Sequence, residues 1–168
     1  GDQGYMDVTV MTNSDSTDTY RIRRSYIAFD LAEITEEHEI TYAHVRIRSR
    51  GFNGSPTPKL QIFQGTWDYT LAISDFDSFT GVSLIDSPYT WAGSESNMSM
   101  VLNQAGRDYL NNNRGKIVYI CIREYDHDVL DSPPSGPDFD SSGQFYGTGQ
   151  GADDTYDPQM YINYTTPA

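Results

Sequence analysis

Between Ile40 and Arg50 the side chains alternate: Ala43, Val45 and Ile47 occupy one set of positions and His44, Arg46, Arg48 and Arg50 the other. In extended chain, successive side chains point to opposite faces. Such a run buries its apolar set only as a strand with one dry face and one wet one. A slip of one residue would drive the arginines into the core, so the pattern also fixes the register. Shorter runs repeat the arrangement. Tyr5 to Thr12 places Met6, Val8 and Val10 on one face, and Tyr20 to Leu31 reads as a single strand with Ile27, Phe29 and Leu31 inward. Leu60 to Gln64, Val82 to Ile85, Ser96 to Leu102, Gln144 to Tyr146 and Gln159 to Tyr164 are further strands. Ile117 to Ile122 is apolar on both faces, which predicts a central strand covered on both sides.

Turn clusters rich in Asp, Asn, Ser, Gly and Pro separate these runs, as in sandwiches and barrels. One segment has helical spacing: Ala105, Tyr109 and Leu110, with Asn103 as the cap and Gly115 beyond the end. Composition agrees, because the acids are 18 Asp against 6 Glu and the aromatics include 13 Tyr and 7 Phe. The expected fold is all-β: a jelly-roll-like antiparallel β-sandwich with one short helix, a single domain over residues 1–168. The absence of an initiator Met at Gly1 suggests a module excised from a longer chain.

Several of these segments together resemble one family. Ser25-Tyr26-Ile27-Ala28-Phe29-Asp30-Leu31, followed by Ile40 and Ala43-His44-Val45-Arg46-Ile47, is similar to the opening strands of DNRLRE domains. These are disaggregatase-related β-sandwiches of secreted and cell-surface proteins. Trp67-Asp68, Asp75-Phe76, the Leu102-Asn103…Gly106…Tyr109-Leu110 helix and the ending Asp157-Pro158-Gln159-Met160-Tyr161-Ile162-Asn163-Tyr164-Thr165 match further elements of that pattern. Arg123-Glu124-Tyr125-Asp126-His127-Asp128 also resembles a segment of related modules in tailed-phage structural proteins. The resemblance spans Tyr20 to Thr165 and implies a non-catalytic module, with polysaccharide binding attached to some members. The long loop from Asp126 to Gly143 departs from the pattern.

Charge narrows the partners. Eleven Lys and Arg against 24 Asp and Glu leave a formal charge of −13, which phosphate backbones and anionic lipids repel. Nucleic acid is therefore not an expected partner. No apolar stretch reaches the roughly 18 residues a spanning helix needs, so membrane insertion is not expected either. Catalytic arrangements are sparse. No Gly-x-Ser-x-Gly elbow is present, the single Cys121 sits inside an apolar strand, and Glu124 beside Arg123 reads as an ion pair. An enzyme is not expected.

Binding candidates remain. Six of the eleven cations lie in two segments: Arg21, Arg23, Arg24, Arg46, Arg48 and Arg50. His44, Arg46, Arg48 and Arg50 form a cationic ladder that Arg24 joins if its strand pairs antiparallel alongside, while parity sends Arg21 and Arg23 inward unless they lie beyond the strand end or a bulge intervenes. The ladder is either neutralised by Glu33, Glu36, Glu37 or Glu39, or is a stripe for an anionic partner, whose carboxylates the planar guanidinium fork suits. Among loop aromatics, Tyr69, Trp91, Tyr125, Phe139 and Tyr156 are candidates for stacking on sugar rings, with Trp67 and Trp91 alternatively plugging the ends of the sandwich. Asp126, Asp128 and Asp131 cluster in one loop and offer hard oxygens for a structural calcium ion, without the Gly and final Glu of an EF-hand. Asp153, Asp154 and Asp157 form a second acidic loop. Two functions fit these features. One is an extracellular binding or adhesion module that recognises an acidic polysaccharide. The other is a structural protein of a virion or surface assembly, such as a phage decoration or fibre module, working through contacts with neighbouring protein subunits or as a homo-oligomer. Both place the chain outside a cell, at its surface or on a virion.

Overall fold

The computed structural model describes residues 5–13, 16–54, 57–67, 72–134, 140–148 and 156–166. The strands are β1 (Tyr5–Asn13), β2 (Ser16–Arg23), β3 (Ser25–Asp30), β4 (Glu39–Asn53), β5 (Lys59–Gly65), β6 (Phe79–Ser83), β7 (Tyr89–Thr90), β8 (Asn97–Val101), β9 (Ile117–Glu124), β10 (Asp140–Tyr146) and β11 (Gln159–Thr165). One helix, α1 (Gln104–Asn112), interrupts them, and its cap is the expected one: Asn103 accepts the Gly106 backbone N–H at 2.9 Å. A 3-10 turn covers Ile73–Asp77 and a π-turn covers Tyr125–Val129.

β1 pairs with β10, β3 with β9, β4 with β8 and β5 with β6, all antiparallel. These pairs nest in sequence, like one long hairpin rolled over on itself. β10–β4 and β9–β5 contacts then join them into a six-stranded sheet and a five-stranded one. That nesting is the jelly roll. β11 pairs with β4 along Glu39 to Arg46, on the edge opposite β8, because His44 to Arg46 pair with both.

The alternation along β4 is realised in full. Ala43, Val45 and Ile47 are wholly buried, and they meet Leu60, Ile62, Val118, Ile120 and Ile122 of the facing sheet. β9 is the central doubly covered strand, lying between β3 and β5. Burying each such Leu, Ile or Val side chain contributes about 1.5–3 kcal/mol.

The run Tyr20 to Leu31 is two strands, not one. β2 ends at Arg23 in the six-stranded sheet, and β3 begins at Ser25 in the five-stranded sheet. At Arg24 the chain passes from one layer to the other, so the inward positions of β3 say nothing about those of β2. The loop expected over Asn13 to Thr19 is correspondingly shorter, since β1 runs to Asn13 and β2 starts at Ser16. β4 likewise runs on to Asn53, beyond the Arg50 end expected from its alternation.

Trp91 is interior, 3% exposed, and its indole N–H donates to Ser49 Oγ at 2.8 Å. It is therefore not a ligand-binding residue; of its two expected roles it takes the packing one. Its ring lies so close to β10 that a Cβ on Gly143 would stand 2.4 Å from it. We expect Gly143→Ala to destabilise the protein by about 1–3 kcal/mol through overpacking. Urea denaturation measures this, and an unchanged midpoint would contradict the packing described.

Candidate functional site

The two outer faces of the sandwich are built differently. On the five-stranded sheet, Tyr26, Cys121 and Phe63 line up across β3, β9 and β5. Trp67 folds back over Gly65, which has no Cβ to obstruct it, and packs 4.8 Å from Tyr26 and 4.9 Å from Tyr119. Burial pushes the Cys121 thiol up to about 12, so it stays protonated and inert at neutral pH.

Beside these rings lies a closed ionic clasp. Arg24 donates Nε to Asp128 Oδ2 at 2.9 Å and Nη2 to Oδ1 at 2.6 Å. Arg123 forks onto the same two oxygens at 3.0 and 2.8 Å. Arg24 also reaches Asp77 Oδ1 at 2.6 Å and the Phe76 carbonyl at 2.8 Å, tying down the 3-10 turn. The Phe76 ring lies 4.0 Å from the Arg24 guanidinium and the Phe79 ring 4.6 Å from that of Arg123. Arg24 is thus not part of the ladder on β4; it belongs to the opposite sheet.

The acidic loop is used the same way. Asp128 is committed to two arginines, Asp126 to Lys59 Nζ at 3.1 Å, and Asp131 is exposed with φ +48°. The three carboxylates expected to hold calcium do not converge, and among the described residues no group of three His, Cys, Asp or Glu is placed to hold a metal. Glu124 does not pair with Arg123. It is 1% exposed and caps the π-turn, accepting the backbone N–H groups of Asp126, His127 and Asp128, and the Ser141 hydroxyl. Tyr125 opens that turn after β9 and so lies off the ladder. Tyr69, Phe139, Asp153 and Asp154 lie outside the described residues.

The outer face of the six-stranded sheet holds the arginines of β2 and β4. Along β4, His44 stacks on Tyr161 of β11 with ring centroids 4.7 Å apart, and the Arg46 guanidinium sits 4.8 Å from the same ring. Arg46 also donates to Gln159 Oε1. Arg48 lies 4.5 Å from the Tyr156 ring and pairs with Glu95 at 3.2 Å. The carboxylate paired with Arg48 is that of Glu95, which lies outside the Glu33 to Glu39 connection. Arg50 reaches Gln144 Oε1 at 3.2 Å. Burial, and then the charge on Arg46, hold His44 below the ordinary histidine value, and its Nδ1 has no hydrogen-bond partner among the described residues.

Arg21 and Arg23 lie beyond the end of β3, on β2, where the inward parity of β3 does not apply. Both are exposed, and with Arg50 they line an open groove of about 640 Å³ on this face. Asn53, Asp140, Ser142 and Gln144 complete its polar wall. The register accounts for this: Arg23 and Arg21 pair with Thr9 and Met11 of β1, which pair in turn with Ser142 and Asp140 of β10. Five of the nine arginines, Arg21, Arg23, Arg46, Arg48 and Arg50, therefore share one face of a chain with formal charge −13.

A scan against known protein-family models finds no match for this chain, and a search of curated proteins finds none.

The clasp and the face make separable demands. Burial raises the Asp128 carboxyl, and the two guanidinium groups outweigh it, so the group titrates below its ordinary 3.8. A depressed carboxyl contributes stability above its unfolded value and loses it as pH falls through the folded one. Asp128→Asn, which strands two arginines, should cost about 3–5 kcal/mol at neutral pH and flatten the acid limb of the stability profile below about pH 4. Denaturation midpoints across pH for both proteins provide the check; parallel profiles would refute it.

Proposed function

We propose that this chain is a non-catalytic binding module for an acidic polysaccharide, held on the outer face of the six-stranded sheet and displayed outside a cell or on a virion. The observation that carries the reading is the groove lined by Arg21, Arg23 and Arg50, continuous in sequence along β4 with Arg48 and Arg46. Guanidinium groups are planar and permanently charged, and their forked donors match a carboxylate edge to edge. The amide and hydroxyl groups of Asn53, Gln144 and Ser142 supply donors and acceptors suited to sugar hydroxyls. The groove is open, as a polymer bound lengthwise requires.

Charge elsewhere favours this ligand over a nucleic acid. A −13 chain with five of its nine arginines on one face engages an anion locally and repels a long, densely charged phosphate backbone. The family resemblance drawn from the strand motifs points toward polysaccharide as well.

Calorimetric titration with oligogalacturonate and with a neutral glucan tests the proposal. Binding of the uronate alone, weakened by added salt and reduced roughly tenfold or more (about 1.4 kcal/mol) in Arg21→Ala/Arg23→Ala/Arg50→Ala, is expected. Equal binding of the glucan, or indifference to the triple substitution, would overturn it. No glycan binding together with an oligomer of fixed symmetry in light scattering would replace it with the assembly role.

A further inference from the structure

We infer that Arg48 and Tyr146 form a second carboxylate-binding subsite on this face, occupied in the free protein by the chain's own Glu95 and surrendered to a ligand carboxylate on binding. The inference rests on the polysaccharide reading and deepens it.

The internal occupant fits poorly. Arg48 directs both Nε and Nη2 at a single oxygen, Glu95 Oε2, at 3.3 and 3.2 Å, while Glu95 Oε1 accepts the Tyr146 hydroxyl at 2.7 Å. A well-matched guanidinium–carboxylate pair places one donor on each oxygen at roughly 2.7–2.9 Å. The same protein shows that match in its clasp, where Arg24 meets the two oxygens of Asp128 at 2.9 and 2.6 Å. Burial separates the two pairs further: the Asp128 side chain is 1% exposed and that of Glu95 is 49% exposed. One pair is locked into the structure and the other stands in solvent with half of its fork misaligned.

The backbone under Glu95 is held independently of its side chain. Ser94 Oγ donates to the Arg50 carbonyl at 2.8 Å, and the Ser49 N–H donates to the Ser96 carbonyl at 2.8 Å. These bonds pin the turn to β4 and support Glu95 at φ +58°. The carboxylate can therefore leave by a change of side-chain rotamer, without moving the turn. What it leaves behind is prepared for an anion. Arg48 keeps its apolar face against Tyr156, 4.5 Å from the ring, and Tyr156 packs 4.8 Å from Tyr146. Stacking consumes the face of a guanidinium and leaves its in-plane donors available. Arg48 is two residues along β4 from Arg50 of the groove and on the same ladder, so successive carboxylates of one extended polyuronate would reach both.

Glu95 then acts as a resident competitor, and removing its charge should strengthen binding through Arg48. Oligogalacturonate titrated into wild type, Glu95→Gln, Arg48→Ala and the double variant tests this. Glu95→Gln is expected to tighten binding roughly two- to fivefold, the scale of exchanging one exposed ion pair, and Arg48→Ala to weaken it. In the Arg48→Ala background Glu95→Gln should have no effect. Tightening that persists there would mean a general charge effect, and weaker binding by Glu95→Gln would make Glu95 a contact of the ligand; either overturns the inference. Wild-type binding that depends on Arg21, Arg23 and Arg50 yet ignores Glu95→Gln would overturn the subsite alone. Loss of all uronate binding by wild type would remove the polysaccharide reading with it. Unchanged melting temperatures of the two surface variants show that each is folded.

Discussion

The passage of the chain from one sheet to the other is held by one buried carboxylate, that of Asp128. Arg24 is the residue between β2 and β3, and its fork on Asp128 is shared with Arg123 from the strand beside β3. Two buried guanidinium groups cost far more to desolvate than a hydrophobic pair, so such a clasp adds little net stability. What it adds is geometry. It fixes where the crossover lies, seats the 3-10 turn on the outer face, and sets β2 on its course into the other layer. The arginines of β2 project into the groove because the crossover behind them cannot slide.

The consequence is a division of labour between the two surfaces. One outer face is closed by Trp67, the Phe and Tyr rings and the clasp, with its charges neutralised internally. The other has no covering layer among the described residues; there Arg46 and Arg48 lie against tyrosine rings and Arg50 reaches an amide oxygen. Charge on the first surface is spent on the clasp, whereas on the second it is gathered in the arginines of β2 and β4.

Much of this architecture is legible in the residues themselves. The period of two along β4 specifies its buried and wet faces, and the spacing and cap of α1 specify the helix, because both are local and repeat over several residues. The partners of Arg24, Trp91 and Asp128 are not legible in the sequence for a common reason. They lie 104, 42 and 104 residues away along the chain, which no local pattern encodes. Asp-rich turns look alike whether they hold a cation or an arginine, and an aromatic in a polar loop looks alike whether it faces solvent or the core. For Arg21 and Arg23 the sequence leaves open whether they lie beyond the strand end, because parity is reliable within a strand and says nothing across a crossover. Glu95 carries no sequence signal beyond its lone acidity amid Gly and Ser, so its place over Arg48 emerges only in three dimensions.

The nested strand pairing also governs how the protein comes into being. β1 meets β10 across more than a hundred residues, and the groove is walled by β2 from the first part of the chain and β10 from the last. Topologies dominated by such distant pairings fold slowly, because the entropy of closing long loops is lost before the contacts repay it. A nascent or clipped chain therefore has no partial version of the cationic face to offer. The groove is whole only once β10 has docked between β1 and β4, so the cationic wall and the closed core form together.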